Sequence, residues 1–448
     1  MSTANHYDVT QWPYGNAAED IGEVLNSIIA DIKSRQKATD EMSTGEHDGG
    51  KPGAVIYIPP GDYRLRTQVL IDISFLRIEG AGHGFTSSSI RFNLPEDQWP
   101  DLHELWPGGS RILVDLPPGD EETAGAAFYV ARSGNPRISS VEFMNFCIDG
   151  LHFTSDGSGL HPENTYINGK SGIYVADAND SFRVNGMGFI YLEHALTVKN
   201  ADALSIHDNF IAECGSCIEL RGWGQASKIT DNLIGAGFKG HSIYAEHHGG
   251  LLITANNIFP RGASSVRLNG VTRSSITNNR LHSFYPGMVV LEASSENLVG
   301  SNHFLRDQEP WSPFFSVDNG LDDDFGLLIV SGSDNSVIGN HFSAIVDTDR
   351  IRPEGATPVI ISLKTGEGNY VATNHVVSMD VRGNSSSSAY AAQVDALLST
   401  DAAEHLPVTT VKVDPESKRN TILDSGTERQ VRVDVATNAF RASPTVPS

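Results

Sequence analysis

Through the middle of the chain an apolar β-branched residue is followed, three places later, by Asn. The pairs are Ile206/Asn209, Ile229/Asn232, Ile253/Asn256, Ile276/Asn279 and Val299/Asn302, then Val337/Asn340 and Val371/Asn374. Subtracting successive Asn positions gives steps of 23, 24, 23 and 23, then 38 and 34. A fixed period in the low twenties, filled with short β-rich segments, is the mark of a solenoid, whose units bury their apolar faces only against one another. The expected fold is all-β, a right-handed parallel β-helix whose two longer steps carry loop insertions. Asn at one place in each turn predicts an internal amide ladder, with the Asn itself taking the left-handed corner between strands.

The rest of the chain divides around that array. Asn16-Ala-Ala-Glu19 has the pattern of a capping box, and Ile21, Val24, Leu25, Ile28, Ile29 and Ile32 follow at helical spacing. This amphipathic helix is expected to cover the open end of the solenoid within an N-terminal cap, residues 1–53. The β-helix itself is expected over 54–382. It is interrupted at 92–110, a stretch with two Trp and three Pro that suits a lid. A second insertion is expected at 306–324, containing Asp322, Asp323 and Asp324. Those three lack the spacing of a calcium loop, and no metal is expected. Residues 383–448 are expected to form a C-terminal cap, with a short helix near 389–398 and strands near 408–413 and 431–435. Asn384-Ser-Ser matches a glycosylation acceptor.

Composition narrows the partners. The 448 residues carry a formal net charge of −23, which disfavours nucleic acid and polyanionic polysaccharides and favours a neutral substrate. Three cysteines, Cys147, Cys214 and Cys217, are too few for a disulfide framework. The Cys214/Cys217 pair has no second pair to complete a metal site, so all three are expected in the solenoid's packing. No apolar run approaches the roughly 20 residues that span a membrane, and no membrane partner is expected. The opening, MSTANHYDVTQW, has neither a basic n-region nor an apolar h-region, so a cytoplasmic location is expected.

Stacked turns bring equal offsets from the Asn into ridges. One place before it stand Asp208, Asp231, Ala255, Asn278 and Ser301; about ten places after it stand Glu219, Tyr244, Arg267 and a residue near Val290. In Cys217-Ile218-Glu219-Leu220 the alternation sends Ile218 and Leu220 inward and Glu219 outward. Asp208 and Glu219 thus give one turn a pair of carboxylates, as glycoside cleavage requires: one to protonate the leaving oxygen, one to attack or to activate the attacking oxygen. The bland alternative is an Asp that closes a corner and a Glu that faces water. Four to six places after the Asn lie Glu213, Arg261 and Tyr285, and a turn earlier lie Glu193 and His194; these are candidates for holding sugar hydroxyls.

GMGFIYLEHAL (186–196), DNFIAECGSCIEL (208–220), NNIFPRG (256–262), NNRLHSFYPGM (278–288) and NGLDDDFG (319–326) resemble the inulin fructotransferases of glycoside hydrolase family 91. The resemblance implies a right-handed β-helix, a homotrimer with active sites between subunits, and action on β-2,1-linked fructose without metal or cofactor. It also implies that Asp208 and Glu219 are the catalytic pair. The family holds secreted transferases, which release a difructose dianhydride from inulin, and intracellular hydrolases, which open difructose dianhydride III with water to give inulobiose. The missing export signal and the 92–110 stretch, suited to enclosing a disaccharide, point to the hydrolase, with the transferase as the alternative. Two other classes remain open: a pectin lyase or polygalacturonase type, whose Asp/His/Arg motifs are not in their usual order here, and a non-catalytic tailspike-like binding protein.

Overall fold

The computed structural model describes residues 5–35, 53–84, 108–117, 125–132, 137–151, 168–176, 180–235, 240–259, 262–307, 319–380, 406–423 and 439–440. The chain forms two compact units, one running to Cys214 and the other beginning at Gly215. Both are built as parallel β-helix.

In the first unit three parallel ladders rise together. One contains Ala54–Ile58, Leu76–Gly80, Glu142–Met144, Arg183–Asn185 and Ser205–His207. The second contains Gly61–Leu65, Ser110–Val114, Cys147–Asp149, Gly188–Ile190 and Phe210–Ala212. The third contains Val69–Ile71, Ala126–Val130, Ser171–Val175 and His194–Lys199. Ser110 already lies in a strand, so its end of the expected 92–110 insertion belongs to the coil; 92–107 lie outside the described residues.

The helix spans Ile21–Arg35 and buries all six predicted apolar positions. It packs on the strands Ala54–Ile58, Gly61–Leu65 and Val69–Ile71, covering the first coil. Its start differs from the expected capping box. Asn16 closes a turn of its own, accepting from Ala18 N (3.0 Å), and the helix is capped by Asp20, whose Oδ1 accepts from Gly22 N (3.0 Å). The same carboxylate takes Arg66 N, Thr67 N and the Thr67 hydroxyl, so one side chain both caps the helix and ties it to the coil beneath.

The second unit repeats the plan. One ladder stacks Ile229, Ile253, Ile276, Val299, Val337, Val371 and Ile422 in register. All are buried, each stabilising by roughly 2 kcal/mol. A second stacks Ile258, Leu281, Phe304, Phe342 and Val376, the two Phe rings 4.4 Å apart. The third runs through Ser216–Arg221, His241–Glu246, Ser264–Asn269, Val289–Glu292, Leu328–Ser331 and Val359–Glu367. The ladders continue past residue 382: Thr409–Val413 pairs with Val359–Glu367, and Thr421–Leu423 with Tyr370–Ala372. The expected features at 384–386, 389–398 and 431–435 lie outside the described residues.

The amide ladder is present. Asn232, Asn256, Asn279, Asn302 and Asn340 each donate from Nδ2 to the Oδ1 of the next Asn, at 2.9–3.0 Å, ending on Asn374. Its geometry corrects one expectation. The left-handed corner is taken by the residue before the Asn, with φ between 56° and 59° at Asp231, Ala255, Asn278 and Ser301. The Asn instead turns inward, where its amide satisfies backbone groups that the corner strips of partners. A second ladder, not among the expectations from sequence, runs from Asn297 to Asn335 to Asn369 to Asn420 at 3.1 Å. Its spacing is broken by insertions, but the same left-handed residue precedes each Asn: Glu296, Asp334, Gly368 and Arg419.

Candidate active site

In the first unit Asp208 is itself a left-handed corner residue (φ 57°), one place before the buried Asn209. The corner points its side chain outward, 66% exposed, and His207 Nδ1 donates to Oδ2 at 2.7 Å. His207 Nε2 lies 3.5 Å from Asn185 Nδ2 on the coil before. Asp208 is thus an accessible carboxylate whose direction is set by its neighbour's imidazole.

The other first-unit candidates are more enclosed. Glu193 Oε2 accepts from Gly169 N (2.8 Å), and Oε1 lies 3.8 Å from His194 Nε2. The backbone N–H groups of Glu193 and His194 both reach Lys170 O. Glu213 is buried, in a left-handed conformation, and its carbonyl accepts from Tyr191 N (3.1 Å). Lys170, which sequence reasoning missed, is buried beside them and donates to Val114 O (2.7 Å) and Gly150 O (2.8 Å). Burial pushes its pKa down, against the pull of Asp115 and Asp149. Cys147, Cys214 and Cys217 are all buried, as expected of packing residues. Burial pushes the Cys214 thiol up to about 12, which leaves no thiolate for nucleophilic chemistry.

In the second unit Glu219 lies on Ser216–Arg221 between the inward Ile218 and Leu220. The predicted ridge is seen residue for residue: Glu219 is in register with Tyr244, Tyr244 with Arg267, and Arg267 with Val290. Glu219 does not face open water, however. It is 3% exposed, and Arg221 Nη2 donates to its Oε1 at 2.6 Å. Period-2 alternation places Arg221 on the outward row with Glu219, which is the signal in the sequence that marks it.

A polar cluster surrounds that pair. The Arg221 guanidinium sits over the Tyr244 ring, 5.7 Å from its centre. Tyr244 donates its hydroxyl to Glu246 Oε2 (2.8 Å), and Gly222 N donates to Glu246 Oε1 (2.7 Å). Burial opposes ionisation of Glu246, but the bonds from Gly222 and Tyr244 and the charge of Arg221 outweigh it and hold this carboxyl below its usual range. His241 stacks on Tyr244 with ring centres 5.6 Å apart, and its Nδ1 lies 2.7 Å from Ser264 Oγ. Burial first, then Arg267, push His241 down to about 4 against the pull of Glu219, so the ring is neutral at neutral pH. Arg267 pairs with Glu292 at 2.7 Å.

Tyr285 is not on the Glu219 ridge. Its backbone N and O both bond the Ser283 hydroxyl, and it lies within electrostatic reach of the buried Arg306. Arg261 lies outside the described residues. The acidic run has protein partners: Asp323 pairs with Arg306 and accepts from Arg352 N (2.7 Å), and Asp324 pairs with Lys412 (2.9 Å). Among the described residues no group of three or more His, Cys, Asp or Glu side chains is placed to hold a metal.

Fold and ridge together define a parallel β-helix with an outward acid set among polar and aromatic partners. A model of the "beta helix repeat of Inulin fructotransferase" matches residues 301–444, and one of a "periplasmic copper-binding protein (NosD)" matches 125–313. The chain belongs to the inulin fructotransferase family. It is 46% identical over 379 residues to the DFA-I-forming inulin fructotransferase of Arthrobacter globiformis, an alignment covering 83% of this chain and 89% of that protein. The solved DFA-IIIase of Arthrobacter chlorophenolicus A6 in complex with DFA-III is 75% identical, with a TM-score of 0.89 and 99% of each chain covered. The same enzyme without its lid, in complex with GF2, is 71% identical with a TM-score of 0.85, covering 99% of this chain and all of that one.

Proposed function

We propose that this chain is a glycoside hydrolase that opens difructose dianhydride III (DFA-III) with water to give inulobiose. The observation that carries the reading is the 75% identity, over 99% of each chain, to the DFA-IIIase solved with DFA-III. The 46% identity to a DFA-I-forming transferase supports the family but weighs less for the reaction. In the proposed mechanism Glu219 gives its proton to a bridging glycosidic oxygen as the bond from that oxygen to the anomeric carbon breaks. Asp208 meets the oxocarbenium-like centre, either attacking it or drawing a proton from the water that does. One water is consumed and one of the two bridges opens. Arg221 donates to Glu219 Oε1, so in this mechanism Oε2 is the oxygen that carries and delivers the proton.

Glu193, His194, Glu213, Arg261 and Tyr285 remain proposed sugar-binding groups. The same reading includes a homotrimer with sites between subunits and a cytoplasmic location, checked by light scattering and by cell fractionation. The deciding experiment incubates purified protein separately with DFA-III and with inulin and resolves the products by chromatography. Inulobiose from DFA-III, with inulin intact, is expected. Dianhydride released from inulin would establish the transferase instead, and no reaction with either would return a binding role to the front.

A further inference from the structure

The strand that carries Glu219 ends at Arg221, and the chain leaves it through Gly222 and Trp223. Gly222 turns it with φ +70°, a conformation costly for any side chain. Both flanks of Trp223 are pinned. Gly222 N donates to Glu246 Oε1 at 2.7 Å, and Gly224 N donates to His247 O at 3.4 Å. Gly224–Gln225 then pairs in parallel with His248–Gly249. Yet the indole between these anchors is 44% exposed. A lone exposed aromatic needs no explanation by itself. This one lies just past the turn that ends the Glu219 strand, and the Gly222 before it is held by Glu246, the carboxylate that also receives Tyr244.

We propose that Trp223 is an aromatic platform for one fructosyl ring of the substrate of the Glu219 site, and so a specificity-determining residue. The inference rests on the glycosidase reading. A furanose ring has an apolar C–H face and an edge of hydroxyls. An indole face complements the first, and the neighbouring carboxylates and guanidinium groups suit the second. The pinned backbone means that little ordering is required on binding.

The test uses the full-length protein carrying Glu219→Gln, so that DFA-III binds without turnover, and measures the dissociation constant by calorimetry. Adding Trp223→Ala should weaken binding about tenfold, and Trp223→Phe should restore part of it. Because the ring is half-exposed, melting temperatures should stay close to the parent's. Binding indifferent to Trp223→Ala would overturn the platform alone. A wild-type protein inactive on DFA-III, with no binding by the Glu219→Gln parent, would overturn the platform and the functional reading together.

Discussion

Within the second unit, two ridges one strand apart obey opposite rules. The inner ridge, from Asn232 to Asn374, repeats one side chain at every coil, buried and bonded in the same way each time. The outer ridge, Glu219, Tyr244, Arg267 and Val290, changes at every coil: Glu219 accepts from Arg221 and Tyr244 donates to Glu246 on their own strands, Arg267 pairs with Glu292 on the next, and Val290 is apolar. Register is identical in the two, so backbone geometry does not explain the difference. An inner position answers only to the coils above and below, whose demands are the same everywhere. An outer position answers to whatever approaches from outside, and a mixed set of acid, ring and base has no packing reason to recur.

Breaking the outer ridge should cost chemistry and spare the fold. Glu219→Gln is expected to lower kcat on DFA-III about a thousandfold, with an unchanged circular dichroism spectrum and melting point, and Asp208→Asn should do the same. Retained activity in either would remove that residue from the mechanism. Breaking the inner ridge should do the reverse. Asn279 donates through Nδ2 to Ile253 O, Thr277 O and Asn302 Oδ1 and accepts from the Asn256 amide, so Asn279→Ala leaves several buried groups unmatched. A loss of about 3 kcal/mol in urea unfolding is expected.

His241 sharpens the comparison because it lies on the outer side yet is half-buried. In the unfolded chain its imidazole takes a proton below about 6.5, but in the folded protein not until about 4. Between those values the unfolded state binds more protons. Stability therefore falls as pH drops from 6.5 to 4 and is fully present above 6.5. Melting curves of His241→Gln should show a shallower decline than wild type across that window, and equal slopes would refute the assignment. The smallest effect concerns the corner between the ridges. Ala255 holds φ 58°, a strained conformation for a residue with a Cβ, so Ala255→Gly should raise stability by about 0.5–1 kcal/mol in the same urea assay.

Legibility followed the same division. The period, the inward β-branched stack, the amide ladder and the capping helix were readable because each is a demand repeated along the chain or around a helix. Asp208 and Glu219 were readable as departures from that repetition. The second ladder was hidden by insertions that destroy its period, although its left-handed partner residues mark it. His241 and Glu246 were not legible, since their meaning comes from contacts between coils more than twenty residues apart, such as His241 to Ser264 and Gly222 to Glu246, whereas Arg221 is marked by its alternation with Glu219. Burial of Glu219 was missed for a related reason. Alternation gives the direction of a side chain, and only its neighbours decide whether water reaches it.

The amide ladder keeps its 3.0 Å spacing from Asn302 to Asn340 across a step of 38 residues, as it does from Asn256 to Asn279 across 23. Each coil is therefore an independent slot: its outer connection can lengthen without disturbing the slots on either side. For evolution, or for an engineer, new walls can be grown beside an existing acid by inserting sequence into a single coil, with no compensating change elsewhere in the stack.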